Sequence, residues 1–192
     1  MSVDKIKILG FVGPSGCGKD TAARYLEKYL PEKYHYVKLC TTRPQRNEED
    51  NGYVFLNSNA FLTQVLNGCM LNTQEFRGWY YGLNYQGLDA EKINVLPMSN
   101  VMVEQMTEEN NPKYDLKIIY IWTPDKERLL HILNREESPD CKEVCRRFLT
   151  DKDDYANNIE LWKNLYQVIE NKYSTQFFNS IRVSAEDAFE GD

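Results

Sequence analysis

Short apolar runs rich in β-branched residues alternate along this chain with stretches whose apolar positions recur at helical spacing. KIKILGFV, Lys5 to Val12, has the length and bulk of a buried strand. The pattern from Thr21 to about Leu30 is helical, and Pro31 ends it. YHYVKLC reads as a second strand, followed by a polar, charged loop from Thr41 to Asn51. YVFL, a short helix near Asn59 to Leu66, and CMLNTQEF with WYYG predict small antiparallel strands around a helix. INVLPM is a short buried strand before a helix near Asn100 to Glu108. LKIIYIW, closed by Pro124, is the clearest central strand. Asp125 to Arg135 reads as a helix with Leu129, Leu130 and Leu133 on one face. After Pro139 a charged helix covers Asp140 to Tyr155, and a further helix runs to about Asn164. LYQVIEN is the last strand and Ser174 to Ile181 the last helix, with the acidic AEDAFEGD expected to fray.

This alternation predicts an α/β fold with a parallel core sheet flanked by helices. Tyr53 to Gly82 looks like a hairpin-bearing insert on that core. There are no internal repeats, and 192 residues suit one domain with a substantial core. No apolar run approaches the length of a membrane span, and the N-terminus lacks a signal-peptide layout, so a soluble, cytoplasmic protein is expected. A net charge of -6 argues against duplex nucleic acid as a partner, although a few local arginines can still hold a small phosphate. Five cysteines without a C-x-x-C pair read as free thiols, and with only His35 and His131 available a zinc site is not expected.

The chemistry begins at GPSGCGKDT, Gly13 to Thr21. A glycine-rich turn after a strand lines up backbone N–H groups as an anion cradle, and the helix it opens adds its positive end. Gly13, Ser15, Gly16, Cys17 and Gly18 form the cradle, and Lys19 reaches the β- and γ-phosphates. The usual hydroxyl position after the lysine holds Asp20, and Thr21 comes one residue late. Asp20 has two readings: an acidic residue favouring the helix dipole, or a holder of magnesium through water with Thr21 nearby.

From Pro14 onwards the chain resembles the guanylate kinase family. GPSGCGK is similar to that family's phosphate loop, CTTRPQR to its acceptor-phosphate motif, and NGYVF followed by WYYG to its two tyrosine-bearing segments. The segment carrying Arg135, Arg146 and Arg147 resembles its arginine-bearing lid, and VIEN its last core strand. The resemblance implies a P-loop kinase core over residues 1–38, 94–124 and 156–192, an acceptor-binding insert over 39–93 and a helical lid over 125–155. It implies phosphoryl transfer from ATP with Mg2+ to a nucleoside monophosphate. Arg43, Arg46, Tyr53 and Tyr81 would hold the acceptor phosphate, and Asn171 would stand on the ATP side. Lys19, Arg135 and one of Arg146 and Arg147 would neutralise charge on the transferring group. A monomer or homodimer is expected.

The likeness breaks at the base. The family reads guanine with a glutamate ahead of the Y-G step, where this chain has Asn72, and with hydroxyls where it has Leu39 and Leu83. Glu75 lies three residues from Asn72, which on a strand is the opposite face. INVLPMS has no carboxylate. Asn72 accepts once and donates once, which suits the N3–H and carbonyl edge of a thymine-type base, with the two leucines packing a 5-substituent. Losing guanine's paired hydrogen bonds costs on the order of 1–4 kcal/mol of preference. The expectation is a nucleoside monophosphate kinase shifted from guanine toward a pyrimidine. The alternatives are an ordinary GMP kinase, a kinase of a modified base in DNA, and a non-catalytic interaction module. The richness in Asn, Lys and Tyr hints at an AT-rich, viral or phage source.

Overall fold

Strand β1, Ile6–Val12, alternates its side chains between two cores. Leu9 and Phe11 point to one side, and Ile6, Ile8 and Val12 to the other. β1 lies in the middle of a five-stranded parallel sheet, in a computed structural model that describes residues 5–45, 48, 50–107, 113–134, 138–155 and 165–190. The other strands are β2 (Tyr34–Tyr36), β7 (Ile93–Pro97), β8 (Tyr114–Trp122) and β9 (Leu165–Glu170), in the order β2-β7-β1-β8-β9. LKIIYIW, the expected central strand, lies inside the sheet between β1 and β9. Helices α1 (Lys19–Tyr29) and α6 (Thr175–Asp187) cover the Leu9 and Phe11 side through Ala22, Ala23, Leu26, Phe177, Ile181 and Ala185. Helix α3 (Asn100–Thr107) covers the other side with Met102, Val103 and Met106. Among the described residues no helix is long and apolar enough to cross a membrane.

A second, four-stranded sheet has the order β4-β3-β6-β5. It contains β3 (Leu39–Thr41), β4 (Tyr53–Phe55), β5 (Met70–Phe76) and β6 (Trp79–Asn84), with α2 (Ser58–Leu66) between β4 and β5. β5 and β6 form the expected antiparallel hairpin, while β3 and β4 are parallel. YHYVKLC is not one strand: β2 joins the core sheet and β3 the second sheet, with Val37 buried at the crossover. Leu39 and Leu83 sit in the hydrophobic core. Both are buried in the α3-side core beside Val37, Leu96 and Met98, where they fasten the second sheet to the first.

Two further expectations are corrected. On α4 (Asp125–Leu133), the Leu129, Leu130 and Leu133 face is not the buried one: Leu130 is 48% exposed, and the fully buried residue is Arg128. The last helix does not stop at Ile181: α6 continues to Asp187, and Ala188 and Phe189 of the acidic end are buried against the core rather than frayed. Helix α5 spans Cys141–Tyr155. The helix expected up to Asn164 lies outside the described residues, as do Arg46 and Arg135.

Candidate active site

The glycine loop leaves β1 and enters α1. Gly13, Gly16 and Gly18 have φ of +147°, +82° and +100°, and Gly18 is the N-cap of α1. A Cβ at Gly13 would lie 2.3 Å from the carbonyl oxygen of Ile121, and one at Gly18 2.7 Å from the Asn171 amide. Only glycine fits both the dihedrals and the space. Asn171, buried, donates to the Cys17 carbonyl at 2.8 Å and accepts from Tyr173 N–H at 2.7 Å, so it props the loop from beneath. Tyr173 donates its hydroxyl proton to the Gly16 carbonyl at 2.9 Å and stacks on His131 of α4 with centroids 4.2 Å apart. Burial pushes the Cys17 thiol up, which leaves it neutral inside the loop.

Lys19 folds back over this loop, donating to the carbonyls of Gly13 at 2.5 Å and Pro14 at 3.0 Å. Asp20 has both carboxylate oxygens engaged: Tyr36 donates to one at 2.6 Å and Arg24 to the other at 2.7 Å. Burial and then the Asp20 bond push the Tyr36 phenol up, keeping it a donor. Arg24 also lies over the Tyr36 ring, 4.5 Å from its centroid. Gly52, in the NGY segment, sits against these three side chains, with its Cβ position 3.0 Å from Arg24 Nη2. Asp20 therefore ties α1 to β2 at the edge of the core sheet. Thr21 is exposed one residue further on.

The acceptor-phosphate candidates gather on the second sheet. Register sets Thr41 opposite Tyr81 and Leu39 opposite Tyr53. The Tyr53 and Tyr81 rings meet edge to face at 6.0 Å, and Arg43 lies over Tyr53 at 5.3 Å. The buried Thr41 hydroxyl accepts from Arg43 N–H at 3.1 Å, fixing the start of the loop. The Arg43 guanidinium grips Asp50 with two bonds, of 2.8 and 3.2 Å. Burial works against its charge, and the Asp50 carboxylate more than offsets this, so the pKa is raised. Arg43, Tyr53 and Tyr81 are thus brought together, while Arg46 falls outside the described residues.

On the α3 side of β5, the Asn72 carbonyl accepts from Leu83 N–H at 3.0 Å and its amide donates to Gln105 at 3.3 Å. Gln105 in turn donates to the Thr73 carbonyl, and Ser99 donates to Gln74 at 2.9 Å. This side of the hairpin is lined with neutral amides. Glu75 is exposed and pairs across the strand with Tyr80. The Asn72 bond to a backbone N–H fixes which end of its amide is the oxygen.

Helix α5 joins the two halves. Near its start, Glu143 accepts both guanidinium nitrogens of Arg77, from the turn between β5 and β6, at 2.6 Å each. It also accepts from Arg146 at 2.9 Å and Arg147 at 2.6 Å. Arg146, then Arg77 and Arg147, hold the Glu143 carboxyl well below the usual carboxylate range. Near the end of the helix, Asp151 accepts from Ser15 N–H of the glycine loop at 2.9 Å and from the Ser15 hydroxyl at 3.3 Å. Arg128, 1% exposed, bridges them, donating to Asp151 at 3.0 Å and to the Ser15 carbonyl at 3.1 Å. Residues 143, 147 and 151 share one stripe of the helix, because four residues make about one turn. Arg147 therefore lies between the tie to the second sheet and the tie to the loop, which are about 12 Å apart along the axis.

Tyr36, Arg77, Arg128, Asp151 and Gln105 were not legible as site residues. Their partners lie far away in the chain, and only the 143-147-151 spacing of charges was visible locally.

A family model described as guanylate kinase matches residues 5–174. The guanylate kinase of Nostoc sp. is 42% identical over 78 residues, a stretch covering 40% of this chain and 39% of that protein. The guanylate kinase of Helicobacter hepaticus is 30% identical over 148 residues, covering 74% of this chain and 72% of that protein. The crystal structure of guanylate kinase from Anaplasma phagocytophilum superposes with a TM-score of 0.57 at 18% identity, over 95% of this chain and 84% of that one.

Proposed function

The chain belongs to the guanylate kinase family, and on that premise we propose that it transfers the γ-phosphate of ATP to a nucleoside monophosphate, with base preference moved from guanine toward a thymine-type pyrimidine. The observation that carries the kinase reading is helix α5, tied to the glycine loop at Asp151 and to the second sheet at Glu143, with Arg147 between. A group passing from a nucleotide on the loop to an acceptor on the second sheet crosses that stripe.

In this reading an oxygen of the acceptor monophosphate displaces ADP from the γ-phosphorus, and the protein positions both partners and neutralises charge. The loop N–H groups cradle the ATP phosphates, and Lys19 exchanges its two carbonyl partners for phosphate oxygens. Ser15 N–H exchanges Asp151 for the same chain. Arg43 supplies a two-pronged grip on the acceptor phosphate, which competes with Asp50, and the Tyr53 and Tyr81 hydroxyls add neutral donors. Helices α4 and α5 act as the lid and exclude water.

The loop's three positive-φ glycines and its lysine fit a nucleotide phosphate chain. Among the described residues no group of three or more His, Cys, Asp or Glu could hold a metal ion. That fits Mg2+ carried by phosphates and water, with Thr21 and, through water, Asp20 as the protein's contribution. Bound Mg2+ would supply neutralisation of the β- and γ-phosphate charge.

The pyrimidine preference rests on Asn72 alone, since Leu39 and Leu83 are core residues. Each end of its fixed amide keeps one hydrogen-bonding position beyond those used by Leu83 and Gln105, one acceptor and one donor. The name shared by the relatives favours a second reading, an ordinary GMP kinase. Measuring kcat/KM for GMP, dGMP, dTMP, dUMP, dCMP and AMP separates the two. We expect dTMP or dUMP to exceed GMP by about tenfold or more. GMP leading by a similar margin would establish the second reading.

A further inference from the structure

The β5–β6 hairpin turns through Arg77 and Gly78, whose φ values are +59° and +76°. Two successive left-handed residues match a type I′ turn, whose first position favours Asn, Asp or Gly. Arginine has no backbone reason to be there. Its side chain supplies one: the guanidinium lies over the Phe76 ring and spans 66 residues of sequence to clasp both oxygens of Glu143 on α5. Arg146 and Arg147 turn to the same carboxylate. Three guanidiniums around one carboxylate leave a local excess of two positive charges, held together against their own repulsion.

We propose that Arg77 is a positioning residue of the transfer reaction: by gripping Glu143 it docks the start of α5 on the acceptor-binding hairpin and sets Arg146 and Arg147 toward the acceptor side. This rests on the kinase reading above. The hairpin is already fixed at its base, where Gln105 donates to Thr73 and Ser99 to Gln74. Its tip therefore makes a rigid landing point, and α5 is the element that gains order from the contact. Without Arg77, Glu143 has partners on its own helix only. Nothing else in the Glu143 cluster crosses to the second sheet among the described residues.

The turn geometry makes Arg77→Asn the informative variant, because asparagine suits the left-handed position better than arginine does. We expect its Tm to equal or exceed that of the unmodified protein. Amide exchange across Cys141–Tyr155 should quicken about tenfold. kcat should fall about tenfold while KM for ATP stays within about twofold. Arg77→Lys, which keeps the charge but not the fork, should recover only part of kcat. Unchanged exchange in α5 with unchanged kcat in Arg77→Asn would overturn the proposal. Should the unmodified protein phosphorylate no monophosphate, the kinase reading fails, and the exchange comparison still decides whether Arg77 docks the helix.

Discussion

In the proposed function, Arg43 and Asp151 divide the work of the site between single charges. Arg43 is held by two parallel bonds to Asp50 and by the faces of Tyr53 and Phe55, so its orientation is fixed before any phosphate arrives. Arg43→Lys keeps the charge and loses the fork. We expect kcat/KM for the acceptor to fall by about 2–4 kcal/mol, roughly thirtyfold to a thousandfold, with KM for ATP unchanged in steady-state kinetics. Asp151 is the opposite case, a carboxylate resting where an anion would bind. Asp151→Asn leaves the buried Arg128 without its charged partner there, at a cost of about 3 kcal/mol. The same change removes a negative charge from the loop, so ATP should bind about tenfold more tightly in a calorimetric titration even as the melting temperature falls. Lys19 and Arg43 were legible because their motifs place them by local spacing. Asp151, Arg128 and Arg77 were not, since their bonds to Ser15 and Glu143 cross 136, 113 and 66 residues.

Elements were legible where one period dominated. β1 and β8 carry β-branched runs, and α1 is framed by the glycine loop and Pro31. YHYVKLC concealed its break because Val37 continues the apolar pattern across the point where the chain changes sheets. In α4 the leucines drew attention from Arg128, whose burial depends on Asp151 and the ring of Phe148 rather than on hydrophobicity. The placement of Leu39 and Leu83 in the core was hidden for a related reason: leucine at a hydroxyl position says what is lost, not which way the side chain points. Helix α5 lends itself to a pH test. Glu143 is held below its ordinary range by Arg146, Arg77 and Arg147, so the folded protein favours the ionised form. Its contribution is present above the unfolded value of about 4.3 and is lost as pH falls below it toward the lower folded value. In urea denaturation, Glu143→Gln should therefore be less stable than the unmodified protein at roughly pH 6, and the gap should narrow by roughly pH 3. A constant gap across that range would mean that the carboxylate's charge does not hold the cluster.

At the scale of the molecule, the parallel sheet and its helices support the loop, and the second sheet is bolted on through Leu39 and Leu83. The acidic C-terminal residues hid part of that support. Ala185, Ala188 and Phe189 continue the buried face begun by Phe177 and Ile181, and the Lys7 and Lys117 ammonium groups lie over the Phe189 ring. Phe189→Ala should lower the unfolding free energy by about 3 kcal/mol in urea, far more than a frayed end could. The proposed transfer requires α5 to close a path from loop to acceptor. It is tested most directly by incubating the protein with Mg2+, ATP and mixed nucleoside monophosphates, and quantifying ADP and nucleoside diphosphate together. We predict equal amounts of the two products from the unmodified protein and neither from Lys19→Met. ATP binding without a nucleoside diphosphate from any acceptor would contradict it.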